Sequence, residues 1–279
     1  MQLLLDNPMR RIASLTALCA ALGTSTLPQA GGPDPVVFTL AYVGGAQHSA
    51  LLGIRQGLDE ANLQGRFLGQ KYLLEMIEPA DAFASDLSRF IAVVAAVDKD
   101  KLLQLADVAR GRAVFNLVAE DDALRAACVP NLLHVIPSTS MKRKAEAQWR
   151  QVNPDSNVVA TAWHSEFVKF AGRDLNKRFQ KAFNTPMGEQ AWAGWAAVKM
   201  LSDSIARGEA AHAATLLDYL RSRLSFDGQK GVDMNFRPTG QLRQTLLITE
   251  GGRLVGEAPV RGVAAPDDLD SLDATVCPG

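Results

Sequence analysis

Residues 36–43 (VVFTLAYV) form an unbroken apolar run, rich in β-branched side chains and closed by Gly44-Gly45. A strand buried on both faces has this look, whereas a half-solvated strand alternates with polar residues. From Ser49 the rhythm changes to helical spacing. Leu51, Leu52, Ile54 and Leu58 fall on one side, and a stop is expected near Asn62 and Gly65. The same exchange then repeats. Strands are predicted over 72–77, 91–97 (IAVVAAV), 113–119 (AVFNLVA) and 132–136 (LLHVI), with helices over 82–90 and 98–109. Short apolar runs alternating with helical segments predict a doubly wound α/β fold, a parallel sheet with helices on both faces.

The second half of the chain is patterned differently. Helical spacing covers 140–151, 167–183, 189–206 and 213–223, with one short strand over 158–161. Strands are expected over 232–236, 242–249 and 253–256, separated by Pro238-Thr239-Gly240 and Gly251-Gly252. The tail after Pro259 is acidic and reads as irregular.

The N-terminus carries an export signal in its pattern. Arg10 and Arg11 precede an apolar core at 12–22 (IASLTALCAAL), long enough for a signal-peptide core and too short to span a bilayer. Small residues follow, so cleavage is expected near Ala30, with a cut near Gly23 as the alternative and Met9 as a second candidate start. A buried N-terminal helix is the competing reading. Leu18 is too large to precede a lipidated cysteine at Cys19. The later chain holds no apolar run long enough for stable membrane insertion, so the mature protein is expected to be exported and soluble.

Charge and composition narrow the partners. Lys and Arg number 29 against 30 Asp and Glu, a net charge of −1, so no general attraction to nucleic acid or anionic lipid follows. Aromatic residues are only 6%, too few for a base-stacking surface. Beyond the signal, two cysteines remain, Cys128 and Cys277. An oxidising compartment and an even count favour a disulfide between them, with two free thiols as the alternative.

Several short motifs now fall in order. They are residues 53–62 (GIRQGLDEAN), 65–69 (GRFLG), 122–124 (DAL), 195–201 (WAAVKML) and above all 225–231 (SFDGQKG), with Phe236 and Gly240. Together they resemble the type I, Leu/Ile/Val-type periplasmic solute-binding proteins of ABC importers. Residues 65–70 (GRFLGQ), 161–164 (TAWH) and 236–243 (FRPTGQLR) are similar to the narrower group linked to PQQ-dependent alcohol dehydrogenase systems. The resemblance covers roughly residues 36–256, with one interruption. Family members leave their first lobe near the place of Pro137-Ser138 and build several βα units before returning near residue 161. Only residues 141–160 fill that gap here, so about three units of about 30 residues each are missing. The resemblance therefore implies a type I fold with one full lobe and a vestigial second one. The expected organisation is a signal peptide over 1–30, a main lobe over 31–140 and 165–256, a residual second-lobe segment over 141–164, and an acidic tail over 257–279.

The resemblance also locates a candidate site. In amino-acid-binding members, groups after the third and fourth strands hold the ligand carboxylate; the matching loops here are Asp98-Lys99-Asp100 and Glu120-Asp121-Asp122. Glu120 stands where a Thr is usual. A carboxylate there would repel a carboxylate ligand, which points to a cationic or hydroxyl-rich solute or a metal ion. Asp121 and Asp122 have a simpler account as caps of the following helix. Gln47 and His48 follow the first strand, at the sheet edge where α/β proteins bind ligands. Trp163 and His164 sit at the return crossing, facing either a cleft or the core. His134 and the pair Trp192 and Trp195 read as packing. The acidic run 267–273 lacks the central Gly and terminal Glu of a calcium loop, so no metal site is expected there.

No phosphate-binding loop, Gly-x-Ser-x-Gly, His-Glu-x-x-His or Cys-x-x-Cys occurs, and the chain does not read as an enzyme. No cofactor is expected. The resemblance implies a periplasmic component that binds a small-molecule solute and works with an ABC permease. The alternative is a degenerate accessory protein of a periplasmic quinoprotein dehydrogenase.

Overall fold

The computed structural model describes residues 34–208, 210–273 and 275–277. The predicted signal peptide lies outside the described residues. Five strands form the main sheet: β1 (Val36–Gly44), β2 (Gln70–Ile77), β3 (Ala92–Ala96), β4 (Ala113–Asn116) and β5 (Leu132–His134). They are all parallel, in the order β2-β1-β3-β4-β5. Along β1, Phe38, Leu40 and Tyr42 enter one core while Ala41 and Val43 enter another on the opposite face. Burial on both faces is the reason this strand reads as a continuous apolar run.

On the first face lie α1 (Ser49–Leu68), α6 (Glu189–Ala206) and α7 (Ala213–Ser222). The contact between α1 and α6 is close because it is made at glycines. A β-carbon on Gly53 would collide with the carbonyl of Ala191, and one on Gly194 with the carbonyl of Ala50. Helix α1 runs past the expected stop and ends at Gly69, whose φ of +63° suits a glycine C-cap. The opposite face is covered by α2 (Lys99–Val108) and a 3-10 turn at Leu87–Arg89. Residues 82–90 are therefore turns around that short segment and not the predicted helix; Asp86 caps it by accepting from the Ser88 N–H at 2.9 Å.

A short helix, α3 (Asp122–Ala126), links β4 to β5, and α4 (Thr139–Val152) leads into a second layer. There β6 (Val158–Thr161), β7 (Leu246–Glu250) and β8 (Arg253–Ala258) form an antiparallel sheet in the order β6-β7-β8. Helix α4 covers it with Met141 and Ala145, and Leu246, Ile248, Val260 and Leu272 complete a separate small core. β7 and β8 thus pair with β6 and not with the main sheet. The predicted strand over 232–236 is reduced to isolated bridges, Phe226 with Met234 and Phe236 with Leu242. Helix α5 (Gly172–Phe183) starts five residues later than its pattern suggested.

The tail is tied down. Leu269 and Leu272 are buried, and Asp270 pairs with both Arg237 and Arg243. Cys128 and Cys277 are joined by a disulfide that closes 149 residues of chain. Among the described residues no helix is long and apolar enough to cross a membrane.

Candidate functional site

In an open parallel sheet the strand carboxyl ends, with the N-termini of the following helices, form the usual ligand crevice. Here that edge holds a cavity of 540 Å³ after β3 and β4, lined by Val97, Asp98, Asp100, Ala119, Glu120 and Asp121 among others. Its shape follows from local capping. Asp98 precedes α2 and its carboxylate accepts from the Lys101 N–H at 3.0 Å, fixing the helix start at the rim. The Lys101 ammonium, together with that backbone bond, holds the Asp98 carboxyl below the usual range.

The β4 side is fixed from beneath by Arg125. Its guanidinium is buried and donates to the carbonyls of Ala119 (2.8 Å), Asp121 (3.1 Å) and Ile136 (2.7 Å) and to Oε1 of Gln241 (2.8 Å). Burial pulls this group down to about 10, while Asp122 and other carboxylates oppose the shift, and it stays a cation near neutrality. Asp122 turns away from the cavity and accepts from the Ser140 N–H at 2.9 Å. Partial burial works against its charge, but bonds from Ser140 and Ser138 outweigh it and hold the carboxyl low. Asp122 thus serves the first turn of α4, where Ser138 Oγ also accepts from the Met141 N–H at 3.1 Å.

Glu120 is not an open rim acid. Lys142 of α4 donates to its Oε1 at 2.6 Å and to Oε2 of Glu189 at 2.7 Å. The other oxygen of Glu189 accepts from the Ala162 N–H at 2.6 Å. Burial disfavours the Lys142 charge, yet the two glutamates more than offset this and raise it above the ordinary lysine value. One ammonium therefore joins the β4 loop, the start of α4 and the return crossing after β6. At the rim Asp100 lies 3.9 Å from the Lys99 ammonium, which also lines the cavity, and Asp121 is the exposed carboxylate without an ion pair among the described residues.

The remaining expected site residues are scattered. Gln47 is exposed in the turn after β1, outside the cavity lining. His48 caps α1, its Nδ1 accepting from the Ala50 N–H at 3.2 Å, and burial lowers its basicity. Trp163 does not face a cleft. Only 1% of it is exposed, and it stacks on Trp192 at 5.8 Å between ring centroids while donating from Nε1 to Asn176. His164 is half-buried and accepts from the Glu166 N–H at 3.2 Å, away from the cavity. Only Glu120 and Asp121 of the seven line the cavity. The sequence reading missed Arg125, Lys142 and Glu189. Arg125 could have been noticed as a charge three residues into the Asp122 helix, but the approach of Lys142 is a tertiary event without a local signal. No three His, Cys, Asp or Glu side chains among the described residues converge as a metal site.

No protein-family model matches the chain. No curated protein matches it either. Solved structures do. An ABC transporter substrate-binding protein from Desulfitobacterium hafniense in complex with Leu is 13% identical, with a TM-score of 0.66 over 80% of this chain and 100% of that one. A branched-chain amino acid ABC transporter periplasmic ligand-binding protein from Burkholderia xenovorans is 10% identical, with a TM-score of 0.70 over 84% and 96%. A leucine-binding protein from Thermotoga maritima is 11% identical, with a TM-score of 0.61 over 79% and 98%. At such identities the likeness is one of fold, and the fold is the type I periplasmic-binding-protein α/β fold.

Proposed function

We propose that this chain is the solute-binding component of an ABC importer, acting in the periplasm. The observation that carries this reading is the 540 Å³ cavity at the carboxyl ends of β3 and β4, shaped by two helix starts and set on a buried arginine. The solute we assign to it is small and hydroxyl-rich or cationic. Lys142 is shared between Glu120 and Glu189 and Lys99 pairs with Asp100, so the rim keeps an excess of carboxylate, with Asp121 its exposed acid. A monocarboxylate would meet like charge there.

We read the second layer as the remnant of a second lobe. A specific feature favours the accessory alternative, in which the chain serves a periplasmic PQQ-dependent alcohol dehydrogenase system. Binding by hinge closure needs two bodies free to rotate, whereas Lys142 and Glu189 bond both crossings to the main sheet.

Calorimetry on the purified protein with glycerol, putrescine, leucine and PQQ separates the two. Saturable one-to-one heat that weakens on Asp121→Ala supports solute capture. Absence of heat with every probe, together with co-purification of a dehydrogenase, would reject it.

A further inference from the structure

A second cavity lies apart from the crevice, beside α5. This groove measures 480 Å³ and is lined by Arg173, Lys177 and Lys181 together with Val168, Pro186 and Met187. We propose that it binds amphipathic organic anions, a carboxylate carried on an apolar body.

The charge pattern is the first support. The three cations recur every four residues along one helix face, a spacing at which like charges repel. Arg173 lies in the first turn of α5, where the helix dipole disfavours a cation. Among the described residues none of the three has an ion-pair partner, while their neighbours do: Lys169 pairs with Glu257, and Arg178 with Glu60 at 2.9 Å. Asp174, the acid of this first turn, does not line the groove. Lys181, in the last turn, is favoured by the dipole, so the cost to the helix falls on Arg173 and Lys177. An anion placed among the three charges relieves it.

The floor is the second support. Val168 is 51% exposed and Pro186 is exposed beside it, with Met187 buried behind them. Inorganic anions have no use for such a surface, but an alkyl or aryl body does. The wall is also set in advance. Asn176, which lines the groove, accepts from Trp163 Nε1 at 2.9 Å and donates to the carbonyls of Ser165 and Phe167 at 3.0 Å. Ordering on binding is then confined to the three exposed cationic side chains.

The test is calorimetry of the full chain with hexanoate, hexan-1-ol, hexylamine and sulfate. Hexanoate is expected to bind saturably at one site, with the alcohol, the amine and sulfate each at least about tenfold weaker. Replacing the three cations together (Arg173→Gln, Lys177→Gln, Lys181→Gln) should weaken hexanoate by at least about tenfold with a melting temperature no lower than the parent's, and Lys177→Gln alone by less. Asp121→Ala, in the crevice, should leave hexanoate binding as it is. The proposal is overturned if hexanoate gives no saturable heat, if sulfate matches it, if the triple variant binds like the parent, or if Asp121→Ala abolishes binding. It is equally overturned if a hexaglutamate peptide binds more tightly and displaces hexanoate, because the groove is then a protein-docking surface.

Discussion

The carboxamide of Asn62 meets the backbone of Tyr72 as a neighbouring strand would. Its Nδ2 donates to the Tyr72 carbonyl at 2.9 Å, and its Oδ1 accepts from the Tyr72 N–H at 2.8 Å. Tyr72 lies in β2, the outer strand of the main sheet, so these are the backbone groups that face away from β1. An open edge is a template for pairing with another chain. Here a helix side chain fills one place on it.

Asn62→Leu should therefore do two things. It should lower stability by about 1–3 kcal/mol, because a partly buried N–H and C=O lose their partners. It should also raise aggregation on mild heating. Urea denaturation and light scattering check both, and an unchanged midpoint with unchanged scattering would count against the edge-guard role.

His134 is buried beside Asn116, its Nδ1 3.0 Å from the Asn116 amide nitrogen. Burial, reinforced by the Arg125 charge, holds this imidazole neutral well below its ordinary range. Unfolding releases a histidine of ordinary basicity, so below about pH 6.5 the unfolded chain takes up a proton that the native one refuses. Stability from this group is complete above that pH and is lost as pH falls, by up to about 1.4 kcal/mol per unit. The difference in unfolding free energy between the parent and His134→Gln, followed from pH 8 to 5, should carry that slope; parallel curves would remove His134 from the account.

Lys230 is enclosed as well. Its ammonium donates to Gln244 Oε1 at 2.9 Å and to the Thr245 carbonyl at 2.8 Å, and lies 4.0 Å from the centre of the Trp192 ring. Burial pushes the group well below the ordinary lysine value, and the more distant Glu189 and Glu257 only partly oppose it. For a base lowered in this way the unfolded chain holds the extra proton, so stability rises with pH from the lowered value toward about 10.5. Lys230→Met should flatten that rise. Denaturation midpoints of both proteins between pH 7 and 10 test it, and equal slopes would contradict it.

Removing the disulfide by Cys128→Ser with Cys277→Ser should cost about 3–5 kcal/mol, since the closed loop is long. The buried 3-10 turn at Leu269–Leu272 should then open to hydrogen exchange before the main sheet does. Chemical denaturation and amide exchange measure the two effects. A loss under about 1 kcal/mol would mean that the ion pairs of Arg237 and Arg243 hold the tail unaided.

The main sheet was readable because β1, β3 and β4 are buried on both faces, which leaves an unmistakable apolar run. The second layer was not. Val158–Thr161 and Leu246–Glu250 pair across almost ninety residues of intervening chain, and nothing local in either says which sheet it joins. The candidate site divides in the same way. Asp98 and Asp121 are visible as helix starts after strands, a sequence-local property. The fate of Glu120 depends on Lys142, one of three adjacent basic residues that look alike until α4 is docked. Trp163 could face a cleft or the core on pattern alone, and stacking on Trp192 decides it.

The link between Cys128 and Cys277 also changes what a break in the chain can do. Four strands of the main sheet precede Cys128, while β5, the second layer and helices α4 to α7 all lie between the two cysteines. The later half of the fold is thus a covalent ring hung from the earlier half. A protease that cuts anywhere within the ring leaves one connected molecule until the bridge is reduced, and both ends of the cut stay tethered near the structure they left. Damage in this region is therefore retained and open to re-docking, whereas a cut before residue 128 sets a piece free.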